Sequence, residues 1–452
     1  MKAFLIVLTF LFLGCSSLNK KSFKLPDFKN QVQANGSKVL TIVDNSLPSF
    51  SAYALIGMGH IHDPKGKEGL SNFVVSMLDK GTKNYSAPKL AEKVDQLGAR
   101  LQLSANNDYA IVSIHGLSIH QDQLLEILQE VLTAPKFSDA EIKRLRSQIL
   151  ARIVQRNDQP PVVASDAFDK MIYEKNHPYS QPSIGVKASI QKISKQDIKN
   201  HYNKHFVSKN ISFAFTGRLG DGFETKLANF LSPIKKGEKP SLKMPTAKKS
   251  DAKILLVYKN DLKQAQVRLG HVAIKRSNPD YLKLKVATTI LGGAFSSRLV
   301  DEIREKRGLT YSISSSFNPG YFNGPFIISS STRNEKAGEL VFETQKLVSD
   351  FVENGITSEE LEMAVGYLKG TFPSLIETSE GLAFNVLNLQ YYGVSDQYLR
   401  DYVKNLESFS KSDINQAIKT YIHPDHMQTL VYAPESVETQ FKDSKVFSKK
   451  SQ

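Results

Sequence analysis

Cysteine is almost absent from this chain of 452 residues, and Cys15 is the only one. No disulfide can form within the chain, and no cluster of thiolates can hold a metal. Long apolar runs are missing too. After the first fifteen residues none approaches the roughly eighteen that a membrane-spanning helix needs. There is no G-x-S-x-G elbow, no phosphate-cradling glycine loop and no cysteine placed to act as a nucleophile. Acidic residues are in deficit, 45 against 59 Lys and Arg, which leaves a formal charge of +14. The lysines are spread out, in clusters no larger than Lys235-Lys236 or Lys248-Lys249. No basic run is interleaved with aromatics as a single-strand nucleic-acid groove requires, so nucleic acid is not an expected partner. The excess reads as a solvated basic surface, or as a face for acidic peptides or anionic lipid headgroups.

What is present is an ordinary globular composition, 40% hydrophobic and 23% charged, long enough for about two to four domains. An exported chain of this length needs no disulfides, because its core can be large enough alone. Export is the expectation from the first residues. Lys2 supplies a positive start, and Ala3 to Leu13 is apolar but too short to cross a bilayer. Phe12-Leu13-Gly14-Cys15 then resembles a bacterial lipoprotein box, with Phe12 where Leu is usual. On that reading residues 1–14 are a signal peptide and Cys15 is lipidated, which gives a stable anchor. Ser16 in place of Asp resembles the outer-membrane-directed type. The expected location is the bacterial cell envelope, lipid-anchored on the outer membrane and facing the periplasm. The alternative is an ordinary signal peptide with an incidental cysteine.

Residues 15–35 are polar and lysine-rich and read as a tether. A second polar stretch, 233–252, contains Pro233, Gly237, Pro240 and Pro245 and reads as a linker. It divides the chain into domains at 36–232 and 253–440, with a tail at 441–452. The two halves read alike, as an internal duplication would. Each opens with strand-like segments: 38–43 and 51–58 in the first, 253–258 and 265–273 in the second. Each then has an apolar helix (70–78; 281–291) and a strand pair (100–105 with 109–115; 310–316 with 326–330). An amphipathic helix follows, carrying Leu124, Leu128 and Val131 on one face in the first half and Leu340, Leu347 and Phe351 in the second. Next come matching helix starts, with Ser138 before Glu141 and Thr357 before Glu360, the spacing of a capping box. Short loops make the strand pairs antiparallel. The fold class expected is α+β: two homologous halves, each a mostly antiparallel sheet covered by helices.

Several segments resemble the insulinase/pitrilysin metallopeptidase family. GLSNFVVSMLDKGT at 69–82 is similar to the family's G-L-A-H-F-L-E-H-M-L-F-K-G-T, and HPYSQPSIG at 177–185 to its H-P-Y-G-x-P-x-x-G. The helix from Ser138 resembles the one carrying the family's third zinc ligand. LGGAFSSRLVDEIREKRGLTYSISSS at 291–316 resembles the signature of its C-terminal domain. The family's chemistry needs H-x-x-E-H, two histidines one turn apart to bind zinc and a Glu as general base, with a later carboxylate as third ligand. Here those positions hold Asn72, Val75 and Ser76, and Ala151-Arg152 stand where the resemblance places the carboxylate. Val75 cannot take a proton, Ser76 is a poor ligand and Arg152 repels a cation. No zinc or other metal is therefore expected in this chain. His60 and His62, expected to alternate on one strand, and His115 and His120, expected to straddle a turn, lack a third ligand at plausible spacing.

Arg304 and Tyr311 are kept, seven residues apart, with Gly308 between them to end a helix and Tyr311 opening a strand. The resemblance implies that the Arg bonds substrate backbone and that the Tyr hydroxyl positions the scissile carbonyl or its oxyanion, roles to which both donors are suited. The bland alternative is a charged residue on an exposed helix and a core aromatic. In the family's two-chain, processing-peptidase-like branch one chain carries zinc and its partner the Arg/Tyr pair. The resemblance therefore implies a non-catalytic, substrate-side subunit of a heterodimeric zinc endopeptidase acting on peptides, with zinc in the partner chain. The alternative from another class is a non-enzymatic peptide-binding or scaffold protein that reuses the fold.

Overall fold

Twelve strands form two six-stranded sheets in a computed structural model that describes residues 25–243, 245, 251–442, 444 and 447–451. Cys15 and the expected signal peptide lie outside the described residues. The first sheet holds β1 (Lys29–Val32), β2 (Lys38–Val43), β3 (Ser49–Ile56), β4 (Arg100–Ala105), β5 (Ala110–Leu117) and β6 (Ile211–Gly217), in the order β1-β2-β6-β3-β5-β4. The second holds β7 (Lys253–Tyr258), β8 (Gln264–Ile274), β9 (Ile313–Phe317), β10 (Gly324–Arg333), β11 (Gln428–Ala433) and β12 (Phe447–Ser451), in the order β12-β7-β11-β8-β10-β9. From β2 and β7 inward the two orders correspond strand for strand. Each sheet has a central parallel pair, β2 with β6 and β7 with β11, whose inner strand pairs antiparallel with the next, β6 with β3 and β11 with β8. The class is α+β with two homologous halves.

The edges differ between the halves. Residues 29–32, within the stretch read as a tether, pair antiparallel with β2. Residues 447–451, within the stretch read as a tail, pair parallel with β7. Each sheet thus takes its sixth strand from a different end of the chain. In the stretch read as a linker, Ile234 is buried in the first core, so the polar composition there does not mean a free segment throughout.

Helices cover both faces, and each half lends one to the other. The helices Leu70–Met77 and Gln121–Thr133 pack on β4, β5 and β3 of their own sheet. The opposite face of that sheet is covered by Ser379–Tyr391 from the second half, lying on β2, β3 and β6. Pro160–Ile172 from the first half lies in turn on β8 and β11. The capping box at Thr357 and Glu360 forms in both directions. At Ser138 the hydroxyl accepts from the Glu141 amide.

A carboxylate pins the halves together. Asp108, in the β4–β5 turn, is 4% exposed. Its side chain accepts from the Tyr179 and Tyr392 hydroxyls, the latter at 2.7 Å, and from the Tyr321 amide at 3.1 Å. Its carbonyl accepts from the Tyr391 hydroxyl at 2.5 Å. Burial raises the Asp108 pKa and these donors oppose the rise. Tyr179 belongs to the 177–185 segment, so that part of the family-like motif serves the junction.

Candidate functional site: a peptidase-type helix without its ligands

The helix Leu70–Met77 starts at a crowded turn. Gly69 and Gly185 both take positive φ, 93° and 85°. A Cβ at Gly69 would come within 2.6 Å of the Ile184 carbonyl oxygen, and one at Gly185 within 2.2 Å of the Glu68 carbonyl oxygen. Only glycine allows both the torsion and the approach. Asp63 then organises the helix start, accepting from the Gly69 amide (2.7 Å), the Ser71 amide (2.8 Å), the Ser71 hydroxyl (2.7 Å) and His60 Nδ1 (2.9 Å). Phe73, Val74, Val75 and Met77 are sealed in the core. Burying such a side chain contributes about 1.5–3 kcal/mol, enough to keep the helix whatever its former chemistry.

The positions that would carry the chemistry do not fit a zinc ion. Asn72 and Ser76 share a half-buried face one turn apart. The Asn72 Oδ1 atom is buried without a hydrogen-bond partner among the described residues. Val75, 1% exposed, packs as core. The helix Asp139–Asn157 does lie against Leu70–Met77, with the Arg146 guanidinium 5.8 Å from the centre of the Phe73 ring. Its residues 151 and 152 are exposed Ala and Arg, however. One amide oxygen, an alkyl group, a hydroxyl and a guanidinium are not a zinc donor set, and no general base stands at 75.

The histidines are not where the sequence suggested. His60 and His62 do not alternate on a strand but form a 3-10 turn, because the His60 and Ile61 amides donate to the Asn106 and Asn107 carbonyls. His60 turns to Asp63, and His62 lies edge-on to His205, ring centres 4.8 Å apart. His201 and His205, one turn apart on Lys195–His205, pack at 4.6 Å. The His205 Nδ1–H donates to the Gly57 carbonyl, which leaves Nε2 buried and unpartnered. His201 Nε2 lies 2.9 Å from the Ser71 hydroxyl. Burial above all lowers the pKa of His62 to about 3, His201 to about 2 and His205 to about 4, with neighbouring imidazoles adding to the effect for the first two. The H-x-x-x-H spacing at 201–205 was the available signal for this group. His115 sits on β5 beside Ser51 and is not brought to His120, which bonds Gln123.

In the second half, Val300–Lys306 is a wide helical turn that ends where Gly308 takes φ of 58°. Tyr311 does not open the strand. The Thr310 hydroxyl bonds the Ser312 and Ser331 carbonyls and closes a turn there, so β9 begins at Ile313. Leu309 and Ile313 point inward, and Tyr311 is 87% exposed rather than a core aromatic. The Arg304 guanidinium stacks between two rings, 5.3 Å from the centre of Tyr311 and 4.8 Å from that of Phe295, which is 77% exposed. Glu305 lies 3.2 Å from Arg304 Nε. Two exposed aromatics flanking a guanidinium form a donor-bearing platform at the surface, and Phe295 was not singled out from the sequence.

The comparisons agree with this geometry. Residues 38–183 match the profile of Insulinase (Peptidase family M16), and residues 192–368 that of the Peptidase M16 inactive domain. The chain belongs to peptidase family M16. A Helicobacter pylori protein named Non-peptidase homolog YmxG is 28% identical over 397 residues, covering 86% of this chain and 90% of that one. A Bacillus subtilis protein named Uncharacterized zinc protease YmxG is 23% identical over 399 residues, covering 88% and 96%. The solved peptidase M16 inactive domain from Pseudomonas fluorescens superposes with a TM-score of 0.84 at 27% identity, covering 90% of this chain and 98% of that one. Without ligands or base at 72, 75 and 76, this chain is a non-catalytic member of the family.

Proposed function

We propose that the chain is the substrate-side subunit of a two-chain zinc endopeptidase acting on peptides at the bacterial cell envelope, anchored there through a lipid on Cys15. The observation that carries the reading is the presentation of Arg304 and Tyr311. Tyr311 is held at the surface by the Thr310 turn, half-buried Arg304 lies against its ring, and the Tyr311 hydroxyl makes no hydrogen bond among the described residues. A phenol and a guanidinium kept outside the core are suited to a carbonyl oxygen supplied by another molecule. An active family member would bring the zinc, and this chain the donors, with proximity in a closed chamber supplying rate. The name of the Helicobacter pylori relative, a non-peptidase homolog, supports the division of labour.

The test pairs this chain with a family member carrying intact H-x-x-E-H. Turnover of a peptide should need both chains, and Tyr311→Phe should lower it by about 10² or more, the cost of one oxyanion donor. Unchanged turnover by that variant in a fully assembled complex would turn the assignment toward a peptide-binding or scaffold role. Cys15→Ala should release the protein from the membrane fraction, and a variant that stays there would refute the anchor.

A further inference from the structure

The junction between the halves holds a polar cavity that the Arg304 platform does not use. Its volume is about 320 Å³, and its lining includes Asn107, Asp108, Asp169 and Tyr173 from the first half with Asn318 and Gly320 from the second. The chain carries 59 Lys and Arg, yet none among the described residues lines this cavity, while two carboxylates do. That of Asp108 is already engaged by three donors, Tyr179 from its own half and Tyr392 and Tyr321 from the other.

Asp169 differs. Its carboxylate has no hydrogen bond or ion pair among the described residues. The nearby guanidinium groups are engaged elsewhere. Arg156 forks onto Asp166, and Arg268 donates to the carbonyls of Pro161, Val267 and Ser330 and to the Ser165 hydroxyl. Burial and the neighbouring Asp166 raise the Asp169 pKa to about 7, against the pull of Arg156 and Arg268. A half-buried carboxylate facing a cavity is costly unless something pairs with it.

We propose that this cavity binds a primary ammonium on a short alkyl stem, the chemistry of a lysine side chain, with Asp169 as its counter-ion. An ammonium needs up to three acceptors, and Asn107 and Asn318 line the same cavity as the carboxylate. Tyr173, whose ring stacks on His177 with centres 4.4 Å apart, also lines the cavity. The volume suits a small ligand rather than a folded partner. A multivalent metal ion fits less well, because no group of three His, Cys, Asp or Glu converges among the described residues. The inference does not depend on the composite-site reading, since the cavity and the Arg304 platform are lined by different residues.

Saturation-transfer NMR and calorimetry on the full chain at about pH 8, with n-butylammonium against n-butanol, test it. Saturable binding of butylammonium but not of butanol is expected. Asp169→Asn should weaken it by about tenfold or more, the worth of a charge-assisted bond, with an unchanged circular dichroism spectrum. Lowering the pH from about 8 to about 6 should weaken wild-type binding roughly tenfold as Asp169 takes up a proton. The pH arm and the two-probe arm need no variant, so they decide the matter if Asp169→Asn fails to fold. Absence of saturable binding, equal binding of butanol, retention in a folded Asp169→Asn, or displacement by potassium at equal concentration would each overturn the assignment.

Discussion

The two halves share a strand order and have kept different things. In the first, the helix Leu70–Met77 keeps its buried face, its glycine entry and its Asp63 anchor, while the outward positions 72 and 76 and the buried 75 no longer carry zinc chemistry. In the second, the surface retains two donors and two exposed aromatics that the core does not require. Packing residues are held by about 1.5–3 kcal/mol each, whether or not the site works. A surface residue such as Tyr311 has no such tie, and its retention in a motif-like setting needs another cause.

The halves should separate most widely in acid. His62, His201 and His205 titrate well below the ordinary histidine value of about 6.5 when folded. Below that value the unfolded chain binds protons that the folded chain refuses. The stability the neutral rings represent is therefore complete above about pH 6.5 and lost as pH falls toward the folded values. At pH 5 the buried pair His201 and His205 should each cost on the order of 2 kcal/mol, moderated by Asp63 lying 3.9 Å from His201. The second half carries such a ring in His271, lowered to about 4 by burial, and proton uptake by Asp169 offsets part of the loss in the first. With three such rings in the first half, urea unfolding followed between pH 7 and 5 should still show it weakening ahead of the second. A midpoint that stays flat over that range would refute the imidazole reading.

Next in size is the latch. Asp108→Ala removes the acceptor for three donors, two of which, the Tyr392 hydroxyl and the Tyr321 amide, reach it from the second half. Leaving buried donors unmade costs about 1–3 kcal/mol each, partly recovered if water enters. A loss near 3 kcal/mol is expected, with unfolding split into two phases and faster protease cutting within 233–252. A single unshifted transition would show that the helix exchange alone joins the halves.

How far the sequence carried follows from the same contrast. The strands 38–43, 100–105 and 253–258 were legible to the residue, because alternation and flanking turns mark them locally. The central strands β6 and β11 were not singled out. They read as near-continuous apolar runs whose partners lie far away in sequence. The edge strands at 29–32 and 447–451 sit in polar stretches with no apolar signal at all. The lost ligands at 72, 75 and 76 were legible because intact flanks fixed the register. Asp108 and Asp63 were not, since a lone Asp shows its partners only once distant segments are brought together; the His201–His205 pair had its four-residue spacing as a signal, but not its contact with His62.

Zinc provides a sharper test of the first half. Chelator-washed protein should carry substoichiometric zinc by elemental analysis, because Asn72, Val75, Ser76 and Arg152 offer no donor set. One tightly held zinc per chain would contradict that. Replacing the four together by His, Glu, His and Glu should restore binding if the helix pair has kept its geometry, since Leu70–Met77 still packs against Asp139–Asn157.

The smallest expected effect on stability belongs to the second half, and it is the most informative. Tyr311 is 87% exposed, and among the described residues its ring meets one cation, the Arg304 guanidinium. Tyr311→Phe keeps the ring and removes one hydroxyl that has no partner among the described residues. The unfolding free energy should therefore change by less than about 0.5 kcal/mol, the usual range for exposed positions. Phe295→Ala and Arg304→Ala should cost somewhat more, because the stack of ring, guanidinium and ring loses a member worth about 0.5–1 kcal/mol at an exposed site. A residue with almost no value to its own fold, and a large effect on turnover in the two-chain assembly, is the signature of a group kept for a substrate. If Tyr311→Phe instead destabilises the isolated chain by more than about 1 kcal/mol, the hydroxyl has a structural partner, and its retention is explained without a substrate.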